Sequence, residues 1–458
     1  MTAEAEVGTA AVTRTLAEYI SSALRKPLPV DVVEKTKHHV LDTFAAMVSG
    51  SRLLPGRKAI AYVKSRGGVP EAAVAATNLV TAAENAAMAN AMLAHSDETD
   101  DSHAPSYTHP GCGIVPAAWA MAERHSRNGS ALLRAVALGY DVGCRLTMSL
   151  NAQEFREEGH ATHSFGPMFG AAAAAGALAR FSPVACRYLL AYTCQQAAGV
   201  GSWTRDTEHV EKAFVFGGMP ARNGVSSALM VAQGLSGEDD PFSGEHSFFT
   251  VYGREPEPGR LVDGLGSQFE IMNTNIKRWS VGSPIQAPLD SLVELVRSHS
   301  IRPDQVESVV VRVDPRGART TDDRAMPDIS MQQMCAVMLA DGIVTFASSH
   351  DARRMADPAI QALRRRIELI GEPSLHNSDP PRQGIVEVRL KDGREFRHHT
   401  KAVRGTADNP MTRQEVEEKC LPLIAGVLGQ RQARQLCQAV WDLEHLASVR
   451  ELRPLLQK

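Results

Sequence analysis

The chain has 458 residues, 43% of them hydrophobic and 22% charged, with a formal net charge of −3. Its length predicts two domains, and its near-neutral charge gives no global attraction to nucleic acid or acidic lipid. No uncharged apolar run approaches the ~20 residues that span a bilayer, and the opening MTAEAEVGTAAVTRTLAEYI lacks the basic start and apolar core of a secretory leader.

In chain order, the first ~230 residues carry helical signals, with apolar residues at three- and four-residue spacing. They include TRTLAEYISSAL, VVEKTKHHVLDTFAAMVSG, EAAVAATNLVTAAENAAMANAMLAHS and SALLRAVALGYDVGCRLTMSL. GPMFGAAAAAGALARF has small residues all round, which predicts a central buried helix. From about residue 267 the texture changes. VESVVVRVDP predicts a strand, RRIELIGEPS another, and QGIVEVRLKDGREFRHHT a hairpin turning at Asp392-Gly393. Helical segments SPIQAPLDSLVELVRSHS and ISMQQMCAVMLADGIV lie among them, and TRQEVEEKCLPLIAGVLG returns to helix, with Thr412 and Glu415 forming a capping-box pattern. The expected fold is mainly α: a large all-α helical domain, 1–266 completed by 405–458, with a smaller α/β domain inserted at 267–404.

Seven cysteines are scattered with no CxxC pair, which suits reduced thiols in a cytoplasmic protein and offers no spacing for an iron–sulfur cluster. Four polar islands break the apolar framework. The first, AHSDETDDSHAPSYTHPGC (94–112), joins two alanine-rich helices. Its DETDD run, taken alone, reads as a solvated turn. Its histidines and aspartates (His95, Asp97, Asp100, Asp101, His103, His109) are enough to ligate a metal, but no helical HxxxH pair or zinc spacing appears, so no metal is expected. The second island, EEGHATHSFGPMFG (157–170), opens the small-residue helix, whose N-terminus favours a carboxylate ligand. The third is RDTEHVEKAFVFGGMPARNG (205–224) and the fourth NTNIKRWSVGSPIQAPLD (273–290).

Taken in order, HSDETDDS (95–102), HPGC (109–112), GHATHSFGPMFGAAAAAG (159–176), EKAFVFGGMPARNG (211–224), KRWSVGSPIQAPLD (277–290), LADG (339–342) and RGTADNP (404–410) resemble the motif series of the MmgE/PrpD family. That family includes 2-methylcitrate dehydratases, cis-aconitate decarboxylases and iminodisuccinate epimerases. The resemblance implies a helical domain with an α/β lid, a homodimer, and an interdomain pocket for small di- or tricarboxylic acids that uses no cofactor. It places His109, His160, Lys212 and Lys277 at the family's polar pocket positions, Ser102 at the usual threonine, Asp101 at the second aspartate of the pair and Glu98 where an aspartate is typical. Gln286 replaces the family's histidine and Gln333 its tyrosine. An amide exchanges hydrogen bonds but not protons at neutral pH, so a plain 2-methylcitrate dehydratase assignment is weakened.

Losing a proton or CO2 beside a carboxylate builds negative charge, which needs cations on the carboxylates and a titratable group at the reacting carbon. Lys212 and Lys277 suit the first task. His109 suits the second as principal acid/base, with His160 as second proton carrier and Asp101 or Glu98 orienting a histidine. Ser102, Gln286 and Gln333 complete the expected substrate contacts. The expected activity is a cofactor-independent lyase, dehydratase or decarboxylase, acting on a small polycarboxylate. The alternatives are an isomerase or epimerase of a dicarboxylate such as iminodisuccinate, and a non-catalytic carboxylate-binding protein.

Overall fold

In a computed structural model of the chain, residues 3–458 are described; Met1 and Thr2, part of the opening stretch read for a leader, lie outside them. The chain divides into two units. The first takes in the chain to Ser96, Asp100–Thr274 and Arg413–Lys458; the second takes in Asp97–Thr99 and Asn275–Thr412.

The first unit is helical, as its three- and four-residue apolar spacing requires. Its helices in order are α1 (Ala3–Ser22), α2 (Val30–Gly50), α3 (Leu54–Arg66), α4 (Ala83–Ala94), α5 (Pro110–Arg124), α6 (Gly129–Ser149), α7 (Ala152–Glu157), α8 (Thr162–Leu178), α9 (Pro183–Gln196), α10 (Val210–Ala213) and α11 (Met219–Ala232). A two-residue ladder pairs β1 (Ala72–Ala73) with β2 (Val80–Thr81). Two further helices, Arg413–Leu428 and Gln430–Trp441, return to this unit, the first packing on α2.

Every residue of α8 is buried, as a helix rich in Ala and Gly, broken by Phe165, Met168 and Phe169 and without a charged side chain, predicts. Helices α5, α6 and α11 pack around it. Small residues make this possible, because at the α6 crossing backbone meets backbone. A Cβ on Gly143 would stand 2.8 Å from Gly166 O, and one on Gly166 would stand 2.7 Å from Gly143 O. Neither carbonyl can yield without bending its helix. An apolar cluster along α8 gathers Phe165 and Phe169 with Leu16, Ile20, Phe242 and Phe248, and with Leu138, Val142 and Leu146 of α6.

The second unit carries a four-stranded sheet in the order β4-β3-β5-β6: β3 is Val306–Val313, β4 Ile367–Gly371, β5 Gly384–Leu390 and β6 Glu395–Thr400. β3 pairs in parallel with β4 and antiparallel with β5, and β5–β6 is the hairpin expected at Asp392-Gly393. Gly393 has φ +89°, the left-handed geometry such a turn demands. Helices Ser283–His299 and Met331–Asp341 pack against each other, and their apolar faces share one core with alternate residues of β3 and β5, among them Val309, Val311, Val386 and Val388. No helix among the described residues is long and apolar enough to cross a membrane.

Gly143→Ala should destabilise the first unit by ~1–3 kcal/mol, the usual cost of forcing bulk into a close-packed core. The urea midpoint, with far-UV circular dichroism at zero denaturant, measures it; an unchanged midpoint would mean the α6–α8 crossing opens freely.

Candidate active site

The loop between α4 and α5 is not a solvated turn. From His95 to His103 every residue is buried, with Asp97 at 3%, Glu98 at 5%, and Asp100 and Asp101 at 1% exposure. Burying a carboxylate without a partner costs several kcal/mol, and each of these has its own partner.

Asp100 is shared by two imidazoles. Its Oδ2 lies 2.8 Å from His95 Nδ1 and its Oδ1 3.1 Å from His109 Nδ1. Burial alone would push its carboxyl up, but His95 and His109 outweigh that and hold it well below the usual carboxylate range. The two nitrogens facing it are therefore donors, which leaves each Nε2 for other work. Helix ends position both rings: His95 follows the last turn of α4, and His109 directly precedes Pro110, the first residue of α5.

Asp101, next in the chain, serves a different histidine. Its Oδ2 accepts from Tyr140 Oη at 2.5 Å and faces His39 Nδ1 at 2.8 Å, while Oδ1 accepts from Gly111 N at 2.9 Å. Burial pushes His39 down to about 4, so at neutral pH it is an uncharged donor to Asp101. The Gly111 bond fixes the first turn of α5 and with it the backbone that carries His109.

Asp97 and Glu98 are met within the second unit. Lys277, 3% exposed, donates to Glu98 O at 3.0 Å and Glu98 Oε2 at 3.1 Å. His350 Nε2 lies 3.1 Å from Asp97 Oδ2, close enough for an ion pair although its N–H does not point along a hydrogen-bond line. Burial would lower His350, but Asp97 and Asp328 outweigh it and raise it to about 9.

Around His109 the third island supplies an aromatic platform. A π-helical turn, Phe214–Gly218, follows α10 and carries Phe216. The rings of His163 and His95 lie parallel to Phe216 at 3.8 and 4.3 Å between centroids. Two parallel rings that close cannot share a face, so Phe216 is sandwiched between them. His109 completes the group, 5.1 Å from His95 and 5.3 Å from His163. His209 stands 5.1 Å from His95. Lys212 Nζ lies over the rings of Phe216 and Trp203, at 5.2 and 5.7 Å.

His163, in the first turn of α8, is held well below the ordinary histidine range, first by burial and then by repulsion from the charge that His109, when protonated, and Arg156 would place beside it. It is thus neutral at pH 7, and its buried Nδ1 has no hydrogen-bond partner. His160 is placed differently: its ring stacks on Phe155 at 4.3 Å, and its backbone bridges to Val200. Both histidines wall a cavity of about 420 Å³, together with Arg156, Trp203 and Arg205.

The remaining sequence-derived positions are also clear. Ser102 is fully buried in the loop. The Gln286 amide is given to backbone, accepting from Trp279 N at 3.1 Å and donating to Trp279 O and Val281 O at 2.9 Å. Gln333 is fully buried in the helix Met331–Asp341, with no partner for either amide atom. Near the loop, Ser106, His103 and Glu270 imitate a nucleophile–base–acid triad, with Ser106 Oγ 2.7 Å from His103 Nδ1 and His103 Nε2 3.3 Å from Glu270 Oε2. Ser106 and His103 have no exposure, and Ser106 Oγ is also 2.6 Å from Thr108 Oγ1. This group closes the 103–108 loop.

His95, Asp100 and His109 bring ligand atoms within 4.8 Å of one another, the spacing of a metal site. Both Asp100 oxygens, however, face ring nitrogens at hydrogen-bond distance, so the arrangement suits a shared proton system better than an ion. The chemistry it supports is proton delivery at a cationic, aromatic-walled pocket. His163, Phe216, Trp203 and Tyr140 were not singled out from sequence as site residues; the signal for His163 was its place three residues after His160 at the start of a buried helix.

Residues 14–261 match the MmgE/PrpD N-terminal domain and residues 279–443 the MmgE/PrpD C-terminal domain. Similar curated proteins include the cis-aconitate decarboxylase-like protein oryM of Aspergillus oryzae, 24% identical over 97% of each chain. A cis-aconitate decarboxylase of Aspergillus terreus is 22% identical over 97% of this chain and 96% of its own. The human cis-aconitate decarboxylase is 24% identical over 93% of this chain and 90% of its own.

The His350–Asp97 pair makes stability depend on pH with a definite sign. His350 is raised from 6.5 to about 9, so its contribution is full below pH 6.5 and fades as pH rises through about 9. About 3 kcal/mol should be lost across that window. Urea unfolding of wild type and His350→Gln at stepped pH measures it: the two curves should converge at alkaline pH, and a constant gap would contradict the pairing.

Proposed function

The chain belongs to the MmgE/PrpD family, and from that premise we propose that it is a cofactor-independent carbon–carbon lyase that removes CO2 from cis-aconitate or a closely similar small tricarboxylate. That it is an enzyme of the lyase type, acting on a small carboxylic acid, follows from the family and from its decarboxylase relatives. The observation that carries the finer reading is the Asp100-held His109 beside a neutral His163 at a cavity with no acidic wall.

Loss of CO2 from an unsaturated tricarboxylate breaks one carbon–carbon bond and leaves the electron pair delocalised into the neighbouring double bond and carboxylate. A proton must then reach carbon. His109 gives it from Nε2, since Asp100 takes the Nδ1 hydrogen bond and supports the imidazolium. His163 stands next in line as a neutral acceptor, and His160 on the cavity wall is the second proton carrier. Lys212 opposes a substrate carboxylate, aided by the N-terminus of α8. Asp101 positions α5, while Glu98 and Lys277 brace each other and so hold the start of the Asp100 loop. Ser102, Gln286 and Gln333 act on pocket shape in this reading.

Dehydration and epimerisation differ in what leaves. The small α/β unit is read as a lid and the assembly as a homodimer; the free state of all seven cysteines supports a reducing, cytoplasmic setting.

Proton NMR in D2O with cis-aconitate tests the proposal. Wild type should release CO2 and put one deuteron on carbon. His109→Ala and Asp100→Asn should each fall by ~10²-fold or more, within the usual contribution of a positioned acid. Release of water would make the enzyme a dehydratase, and deuterium uptake by iminodisuccinate without net turnover an epimerase. Undiminished activity in His109→Ala would overturn the proton donor.

A further inference from the structure

Lys277 lies on a stretch that no regular element holds. Residues 274–282 belong to no helix or strand, yet 275–277 and 279–282 are buried. Buried backbone N–H and C=O groups need partners, and here they come from outside the stretch. Before Lys277, Ile276 N donates to Gly405 O at 2.9 Å, within RGTADNP, a motif that no step of the proposed reaction uses. Gly405 has φ +99°, and a Cβ on it would stand 1.9 Å from Ile276 O, so only glycine fits. Asn409 closes that loop: its backbone O accepts from Gly405 N at 2.8 Å, and its Nδ2 donates to Ala402 O at 3.1 Å.

After Lys277 the partner is one side chain. Gln286, 4% exposed at the start of the helix Ser283–His299, accepts from Trp279 N at 3.1 Å with Oε1. Its Nε2 donates to Trp279 O and to Val281 O, each at 2.9 Å. Three bonds from one amide use its acceptor oxygen and both N–H donors, which neither a histidine ring nor a carboxylate supplies. Asp290, one turn further along the same helix, ties the two sides together. It accepts from Trp279 Nε1 and from Arg404 N, both at 3.1 Å.

The clamped backbone sets where the Lys277 side chain starts, and its ammonium donates to Glu98 O at 3.0 Å and Glu98 Oε2 at 3.1 Å. Glu98 stands two residues before Asp100 in the chain. Such a pair tolerates little misplacement, because parting two charges costs far more in a dry interior than in water. We propose that Gln286 is a positioning residue for Lys277, and through the Lys277–Glu98 pair for the loop that carries Asp100, in place of the substrate contact that the family resemblance implies for it. The effect on turnover rests on the lyase reading above; the effect on Lys277 does not.

Full-length wild type, Gln286→Met, Gln286→Glu, Lys277→Met and the double variant Gln286→Met/Lys277→Met are compared, with circular dichroism as the fold check. Methionine fills the space without hydrogen bonds, and an ionised glutamate, nearly the same shape as glutamine, turns two donations into repulsions. In 15N-lysine-labelled protein the Lys277 ammonium should give a slowly exchanging 1H–15N signal, identified by its absence in Lys277→Met. Both Gln286 variants should shift or broaden it. With cis-aconitate, kcat should fall by about 10- to 100-fold in each while KM changes far less, the cost of a group misplaced from a distance. In the Lys277→Met background, Gln286→Met should cost no more than a further factor of about two, since both act along one path. A folded Gln286→Met whose ammonium signal is unmoved, a rise in KM alone, or losses that multiply in the double variant overturns the proposal. A wild type that leaves cis-aconitate unchanged, while both Gln286 variants move the ammonium signal, sinks the decarboxylase reading and leaves the positioning role standing.

Discussion

The Asp100 carboxylate is the constraint on which the site depends. It is buried with one oxygen on each of two imidazoles, an arrangement stable only while at least one ring carries positive charge or both nitrogens donate. That requirement fixes which nitrogen of His109 bears a proton. It also fixes the ring's direction, because an imidazole tied at Nδ1 can present only Nε2 elsewhere. The neighbouring acids extend the same logic: Asp101 to His39 and Tyr140, Glu98 to Lys277, Asp97 to His350. A run of acids that would repel in water becomes a set of separately compensated anchors.

The helices make that burial possible. Small residues let α8 pass close to α6, with α5 and α11 also packed on it, so the first turns of α5 and α8 both reach the imidazole group. His109 and His163 come from those two helix starts, and Phe216 comes from a π-helical turn that a regular helix would have aimed elsewhere. Ring stacking on Phe216 then sets the histidine planes without spending their nitrogens. The result is two imidazoles 5.3 Å apart between centroids, His109 tied to Asp100 and His163 held neutral, with His163 on the wall of a cavity that Arg156 and Arg205 also line.

Much of this was legible in the sequence. The Ala/Gly-rich helix at 162–178, the strand at 306–313 and the Asp392-Gly393 hairpin follow from residue spacing and turn chemistry, because local patterns determine them. The polar islands were legible as a group. What the sequence could not resolve was partnership. Asp100 and Asp101 are adjacent, and only the course of the loop decides that one serves His109 and the other His39. His160 and His163 sit three residues apart, and the helix start decides which ring meets Phe216. Lys277 reads as a free cation until Glu98 is seen beside it, and Gln286 as a pocket amide until its bonds to the backbone of Trp279 and Val281 are seen. Such choices depend on how the backbone folds back on itself, over separations from five residues between Gln286 and Val281 to 179 between Lys277 and Glu98, which no spacing rule encodes.

The most direct measurement is long-range 1H–15N correlation NMR of the protein with 15N-labelled histidine, at neutral pH and without substrate. The account predicts that His109 and His95 carry hydrogen on Nδ1, that the signal pattern of both changes in Asp100→Asn, and that His163 is neutral. A charged His163, or a His109 whose Nδ1 is bare, would contradict the claim that Asp100 poises His109 to deliver its proton from Nε2.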